Sequence, residues 1–142
     1  MEILRRHTDY ALRAVLCLAA SEEQGQVSVR RISEQTDIPY PIACKLMQKL
    51  SRAGIAAGIL GLNGGYTLSR PPGDISVFDV IQAVQGPLQM NKCTKPSKPC
   101  PKQPDCAVHP FLADIQNELD NRLQKTTLKD LLTGGFRSQS RR

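Results

Sequence analysis

Tryptophan is absent from this chain of 142 residues, and aromatic residues make up only 4% of it, so any core has to be built from aliphatic side chains. No apolar run reaches the roughly 18 residues that a membrane-spanning helix needs, and neither a span nor a membrane partner is expected. The opening residues, Met1-Glu2-Ile3-Leu4-Arg5-Arg6, lack an apolar stretch ending at a small-residue cleavage site. A secretory signal is therefore not expected, and the predicted location is cytoplasmic. Internal repeats are missing. So are a Ser-His-Asp set, a glycine-rich phosphate loop and a carboxylate pair suited to acid–base work, and no enzyme is expected.

What is present looks globular. Apolar residues make up 40% and charged residues 23%, which excludes a wholly disordered or fibrous chain. The length fits one ordinary domain, or a small domain with an appended helical piece. Net charge is +6. Residues 1–86 carry nine basic and eight acidic side chains, and residues 87–142 carry ten and five. Within 28–72 the balance is six to two, enough for a local basic patch in a nearly neutral half.

Along the chain, Leu4, Ala11, Leu12, Val15, Leu16, Leu18 and Ala19 recur at helical spacing. Ser28 is a good N-cap for a short helix containing Val29, Ile32 and Thr36, which Asp37-Ile38-Pro39 ends. A second helix starts with Pro39 or Pro41 in its first turn. It carries Ile42, Leu46, Met47, Leu50 and Ala53 on its apolar face and stops at Gly54. Two helices joined by a tight turn form the helix-turn-helix pattern. Ile55 to Leu60, a turn containing Asn63-Gly64, and Tyr66 to Leu68 then read as a β-hairpin, which in this position is a wing. Ser76-Val77-Phe78-Asp79 fits a capping box for a further helix, as does Thr127-Leu128-Lys129-Asp130 near the end. From Pro110 a long helix carries Leu112, Ile115, Leu119 and Leu123 on one stripe. That stripe either packs on its own domain or joins two copies.

Two constellations carry chemistry. The first is Cys93-x6-Cys100-x5-Cys106-x2-His109. Residues 92–106 hold three Cys, four Pro, four Lys and no aliphatic residue, so the segment cannot form a core element or a regular helix. Five cysteines, an odd number without an export signal, argue against a disulfide framework. Metal binding would supply the folding energy that the loop lacks. The wide, irregular spacing suits an iron–sulfur cluster better than zinc, which favours tight cysteine pairs; free thiols or a disulfide pair remain the third reading. Lys92, Lys95, Lys98 and Lys102 would partly neutralise an anionic thiolate centre. His109 is the local candidate for a fourth ligand.

The second constellation is the outward face of the second helix: Pro41, Cys44, Lys45, Gln48, Lys49 and Arg52. Lys45, Lys49 and Arg52 can bind phosphates, and Gln48 can pair with a base edge in the major groove. Cys44 occupies a place where a base-contacting side chain would sit, and a thiol switch there is the alternative to a passive small residue. Cys17 reads as core packing.

Taken together, this sequence resembles the Rrf2 family of winged-helix regulators, which includes the iron–sulfur regulators IscR and NsrR. The resemblance covers residues 3–133. It rests on Thr8-Asp9-Tyr10-Ala11-Leu12-Arg13-Ala14, Leu50-Ser51-Arg52-Ala53-Gly54, Gly61-Leu62-Asn63-Gly64-Gly65-Tyr66 with Leu68 and Arg70, Ile75-Ser76-Val77 with Asp79-Val80, and the three-cysteine loop. It implies a cytoplasmic homodimeric transcription regulator, often a repressor, that binds double-stranded DNA. The implied fold is mainly α with a small β-hairpin wing. A winged helix-turn-helix domain would occupy 1–86 and a cluster-binding loop 87–109. A long dimerisation helix and a short terminal helix would fill 110–133, before a disordered basic tail at 134–142. The resemblance further implies that Cys93, Cys100 and Cys106 hold a 2Fe–2S or 4Fe–4S cluster. The fourth ligand would be His109, as in IscR-like proteins, or the partner subunit's Asp9, as in NsrR-like ones. Read alone, Asp9 is a helix-start residue that pairs with Arg13. The candidate DNA contacts are Ser28, Arg31, Tyr40, Lys45, Gln48, Lys49, Arg52 and Asn63.

Three departures stand out. The first cysteine gap is one residue longer than is common in the family. Leu60 stands where an Arg usually precedes the wing glycine, which shifts weight from the wing to the second helix and Asn63. Cys44 replaces an acidic residue, so no operator sequence carries over. The expected function is a DNA-binding regulator sensing redox state, nitric oxide or cluster status. The alternatives are a regulator responding through thiols or zinc, and a cluster-handling protein that binds no DNA.

Overall fold

The computed structural model describes residues 2–95 and 100–134. Helix α1 (Arg6–Ala20) buries Ala11, Ala14, Val15, Leu18 and Ala19, the aliphatic stripe its spacing predicts. Ser28 Oγ accepts from the Arg31 backbone N–H at 3.2 Å and so caps α2 (Val29–Thr36). Asp37 ends α2 in the left-handed region with φ 54°, a conformation that short polar side chains tolerate. Helix α3 (Tyr40–Arg52) buries Ala43, Leu46, Met47 and Leu50. The face is rotated slightly from the expected one: Ile42 is half-buried and Ala53 exposed. Gly54, with φ 76°, lets the Ile55 N–H reach back to the Leu50 carbonyl at 3.0 Å, which stops the helix.

Strands β1 (Ala56–Ile59) and β2 (Gly65–Leu68) pair antiparallel, Ala56 opposite Leu68 and Ile59 opposite Gly65. A bridge between Val27 and Tyr66, bonded both ways at 2.9 Å, ties this wing to the chain before α2. The close approach requires glycine at 65, because a Cβ there would lie 2.4 Å from the Val27 carbonyl oxygen.

Helix α4 (Val77–Val84) starts at the expected Ser76/Asp79 capping box, and α6 (Leu128–Thr133) at the Thr127/Asp130 box. The two starts are stitched together: Val77 N–H donates to the Thr126 carbonyl at 2.8 Å, and Leu128 N–H to the Ile75 carbonyl at 2.9 Å. Leu128 is thereby fully buried in the core formed by α1–α4 and β1. That core holds no fully buried aromatic ring among the described residues. Cys17 only borders it. The residue is half-buried rather than central, and its thiol donates to Gln35 Oε1 of α2 at 3.1 Å. Burial pushes the thiol's pKa up, partly offset by Arg31.

Between α4 and α6 runs α5 (Val108–Lys125), 18 residues or about 27 Å long. It begins before Pro110, which its first turn accommodates. Leu119 and Leu123 pack against the small cluster of Val77, Ile81 and Leu88. The one buried α5 residue is Gln116, which donates to the Leu88 carbonyl at 2.9 Å and accepts from Met90 N–H at 2.7 Å. Leu112 and Ile115 stay half-buried, and Val108 and Phe111 are exposed. No helix among the described residues is long and apolar enough to cross a membrane. The basic tail beyond Gly134 and Lys98 lie outside the described residues.

A pH dependence follows from the second capping box. The Thr127 backbone N–H and hydroxyl hold the Asp130 carboxyl below its ordinary value of 3.8. A carboxyl lowered by folding stabilises the fold above its unfolded pKa, and that contribution fades as pH falls through the folded value. Asp130→Asn is therefore expected to lose less melting temperature than wild type on acidification below about pH 4. Parallel melts of the two proteins check it; identical pH profiles would remove Asp130 from the account.

Candidate nucleic-acid interface and cysteine loop

Lys45, Gln48, Lys49 and Arg52 are all exposed on α3, as the helical phase predicts. Lys49 is partly engaged already. Its Nζ donates to the Val84 carbonyl at 2.9 Å, placing a cation at the C-terminal end of α4. Tyr40 opens α3 and is half-exposed, with the Arg30 guanidinium 5.5 Å from its ring centroid. Sequence reasoning missed Arg30, because no local pattern links it to Tyr40 ten residues on. A hydrogen bond with the Cys44 thiol raises the Tyr40 pKa, which locates Cys44 beside Tyr40 on the same face. Ser28 uses its hydroxyl as the α2 cap, and Arg31 Nη2 reaches Gln24 Oε1 at 3.3 Å.

At the wing tip, the Asn63 carbonyl accepts from Gln26 Nε2 at 2.8 Å, while Leu60 and Leu62 are completely exposed. Residues 53–69 contain no charge. Among the described residues the ion pairs are Arg13–Asp9 and Arg70–Asp79, so the cations of α2 and α3 have no acidic partner there.

The loop is built from turns. Cys93 lies in a single helical turn, Lys92–Thr94, and Cys106 follows a second, Gln103–Asp105; Cys100 precedes it and accepts from Gln103 N–H at 3.0 Å. All three cysteines are half-buried. His109 sits in the first turn of α5. Its Nε2 lies 2.8 Å from the Gln103 side-chain nitrogen, and its Nδ1 is buried without a hydrogen-bond partner. An orphaned buried nitrogen costs about 1–3 kcal/mol and calls for a partner. His109 and Cys93 line one open pocket of about 280 Å³. A cysteine and a histidine with an unsatisfied ring nitrogen, lining one pocket, fit a soft-metal site in donor type. Among the described residues, however, no three His, Cys, Asp or Glu side chains converge, and Cys100 and Cys106 are not drawn to that pocket. Asp9 is differently placed: its Oδ2 is held by the Arg13 guanidinium, whose Nε lies at 3.1 Å.

A tight helix pair, a free cationic face on the second helix and a tethered hairpin beside it define a winged helix-turn-helix transcriptional regulator. The chain belongs to the Rrf2 family: residues 4–134 match the family described as an iron-dependent transcriptional regulator. It is 30% identical over 131 residues to the HTH-type transcriptional regulator NsrR of Halalkalibacterium halodurans, covering 92% of this chain and 90% of the relative. Among solved structures it resembles T. potens IscR, with a TM-score of 0.74 at 25% identity over 97% of this chain and 91% of the other. It also resembles Staphylococcus aureus CymR in an oxidized form, with a TM-score of 0.71 at 27% identity over 92% and 95%. The protein is accordingly a transcriptional regulator and not an enzyme.

Proposed function

We propose that this protein is a cytoplasmic homodimeric repressor that reads double-stranded DNA through α3 and senses through an iron–sulfur cluster held by Cys93, Cys100, Cys106 and His109. His109, which lines a pocket together with Cys93 and whose buried Nδ1 has no hydrogen-bond partner, carries the cluster reading. It also favours His109 over the partner subunit's Asp9, since the carboxylate of that residue has Arg13. The cluster, when bound, supplies sensitivity to oxidants, nitric oxide or iron supply. The chain's own part is positional. Gln116 ties the loop's start at Leu88 and Met90 to α5, and Lys49 ties α3 to the end of α4. Ordering the loop therefore bears on the helix that reads DNA. The half-covered stripe of Leu112 and Ile115, with Phe111 exposed beside it, is the surface through which two copies would meet. Iron and sulfide analysis of anaerobically purified protein tests the reading, with His109→Ala expected to hold its iron less tightly toward a chelator. Wild-type protein that stays colourless after reconstitution would overturn it.

The DNA face makes its own prediction. Lys45→Ala and Arg52→Ala are each expected to weaken binding to all duplexes and to lower the slope of log K against log salt by about 1. Gln48→Ala is expected to cost about 1–3 kcal/mol on the operator alone. Fluorescence anisotropy across a salt series separates the two patterns. An unchanged slope in both Lys45 and Arg52 variants would move the DNA face elsewhere.

A second reading rests on Cys44, which adjoins Tyr40 on the α3 face. In it the regulator responds through thiols, and oxidation of Cys44 alters DNA contact. A colourless protein whose operator binding falls on peroxide treatment, but not in Cys44→Ser, would favour it.

A further inference from the structure

One pocket on the described head shares Lys45 and Lys49 with the α3 face but otherwise lies outside both constellations. About 540 Å³ in volume, it opens between the start of α1, α3 and the end of α4. Its buried and half-buried lining is aliphatic, a floor of Ile42, Leu46 and Val84, and its exposed rim carries Arg5, Arg6 and Lys45; Lys49 also lines it, with its Nζ on the Val84 carbonyl. No acidic residue lines it, and none of these four cations has an ion pair among the described residues. The wall is constructed. Gln85 Oε1 accepts from Arg5 N–H at 3.0 Å and from the Thr8 hydroxyl at 2.6 Å, while Gln85 Nε2 donates to the Ile3 carbonyl at 3.1 Å. This one side chain straps the N-terminal segment over the end of α4. The start of α1 has no side-chain cap, which leaves the positive end of its dipole at the pocket edge.

We propose that this pocket binds a small amphipathic anion: an acid group held by the cationic rim, with an apolar body on the aliphatic floor. The size is that of a small-molecule site. Cations converging over low-dielectric walls focus their field on an anion, and the apolar floor discriminates against a bare inorganic one. The site also bears on DNA reading. Lys45 and Lys49 face both the pocket and the proposed phosphate contacts, so ligand and DNA would compete for them. That coupling rests on the DNA-binding reading above; the pocket does not.

The probe is anilinonaphthalenesulfonate, an apolar anion, titrated into the full-length protein by fluorescence. Saturable binding at one site per chain is expected, displaced by octanoate and not by inorganic phosphate at the same concentration. Arg6→Glu is expected to weaken the probe about tenfold. Ile42→Trp, which fills the floor, is expected to abolish the site, with circular dichroism confirming its fold. Octanoate is expected to lower duplex affinity in wild type and not in Ile42→Trp. Wild-type probe affinity in both variants would overturn the proposal by placing the dye elsewhere. Displacement by phosphate as readily as by octanoate would overturn it too, by reducing the pocket to a phosphate seat. Probe binding as expected in a protein that binds no duplex would sink the DNA reading and leave the pocket standing.

Discussion

Cys100→Ala, purified without oxygen, is expected to be colourless and to hold almost no iron, and wild type is expected to be brown with two or four irons per chain. The expectation follows from how little else orders the loop. Residues 92–106 contribute no aliphatic side chain, and their three cysteines are only half-buried. The described hydrogen bonds of the loop are mostly short-range turn contacts such as Gln103 N–H to the Cys100 carbonyl, with Thr94 Oγ1 to Gln116 Oε1 at 3.5 Å and Gln103 to His109 as its ties to α5. The free energy that would organise three thiolates around one centre must come from the metal itself. Deleting one thiolate removes a ligand and a charge together, and the remaining turns are too weak to preserve the site. None of the fully buried core residues lies in the loop, so the metal-free forms of wild type and variant are expected to melt together. Iron and sulfide assays with visible spectra provide the measurement. Wild-type iron in Cys100→Ala would mean that Cys100 is no ligand.

Leu50→Ala is expected to destabilise the head by about 2–5 kcal/mol. Leu50 is fully buried at the end of α3, in the cluster that also holds Val15, Ile32, Met47 and Leu128. Its neighbours come from several helices and cannot all collapse into the space left behind. A domain of this size has about 5–15 kcal/mol in total, so a melting-temperature drop of about 10 °C or more follows. The same substitution loosens the anchor of the face bearing Lys45 and Gln48, so operator affinity should fall with stability. Urea titration gives the loss directly. A change below about 1 kcal/mol would show that the core repacks at that position.

The parts of this structure written in local chemistry are readable from the chain. Ser28, Asp37, Gly54 and the two capping boxes act within a few residues of their own positions, and each stands where its residue type demands. The wing is readable because its turn and flanking strands are adjacent. What escapes is long-range. The Arg30–Tyr40 stack and the Lys49 bond to Val84 join residues whose spacing carries no period. Gln116 looks like a solvated helix position, yet it is the one buried residue of α5, because two backbone groups near Leu88 need its amide. Of the cysteine loop, the sequence shows which side chains are present but not where the turns place them. Cys93 and His109 share a pocket, while Cys100 and Cys106 lie apart from it.

The stitch between Ile75–Val77 and Thr126–Leu128 has a consequence for synthesis. The head's core is missing a fully buried leucine until position 128 has been made, 53 residues after Ile75. At a ribosomal rate of about 5–20 residues per second that gap lasts roughly 3–10 s. Throughout it the four leading helices have emerged or are emerging with their hydrophobic interior unsealed. The cysteine loop is translated within the same interval, before α6 can dock. The nascent chain thus offers its three thiols to the cell while the DNA-reading half is still incomplete, so any chemistry at those thiols can precede the competence to bind an operator.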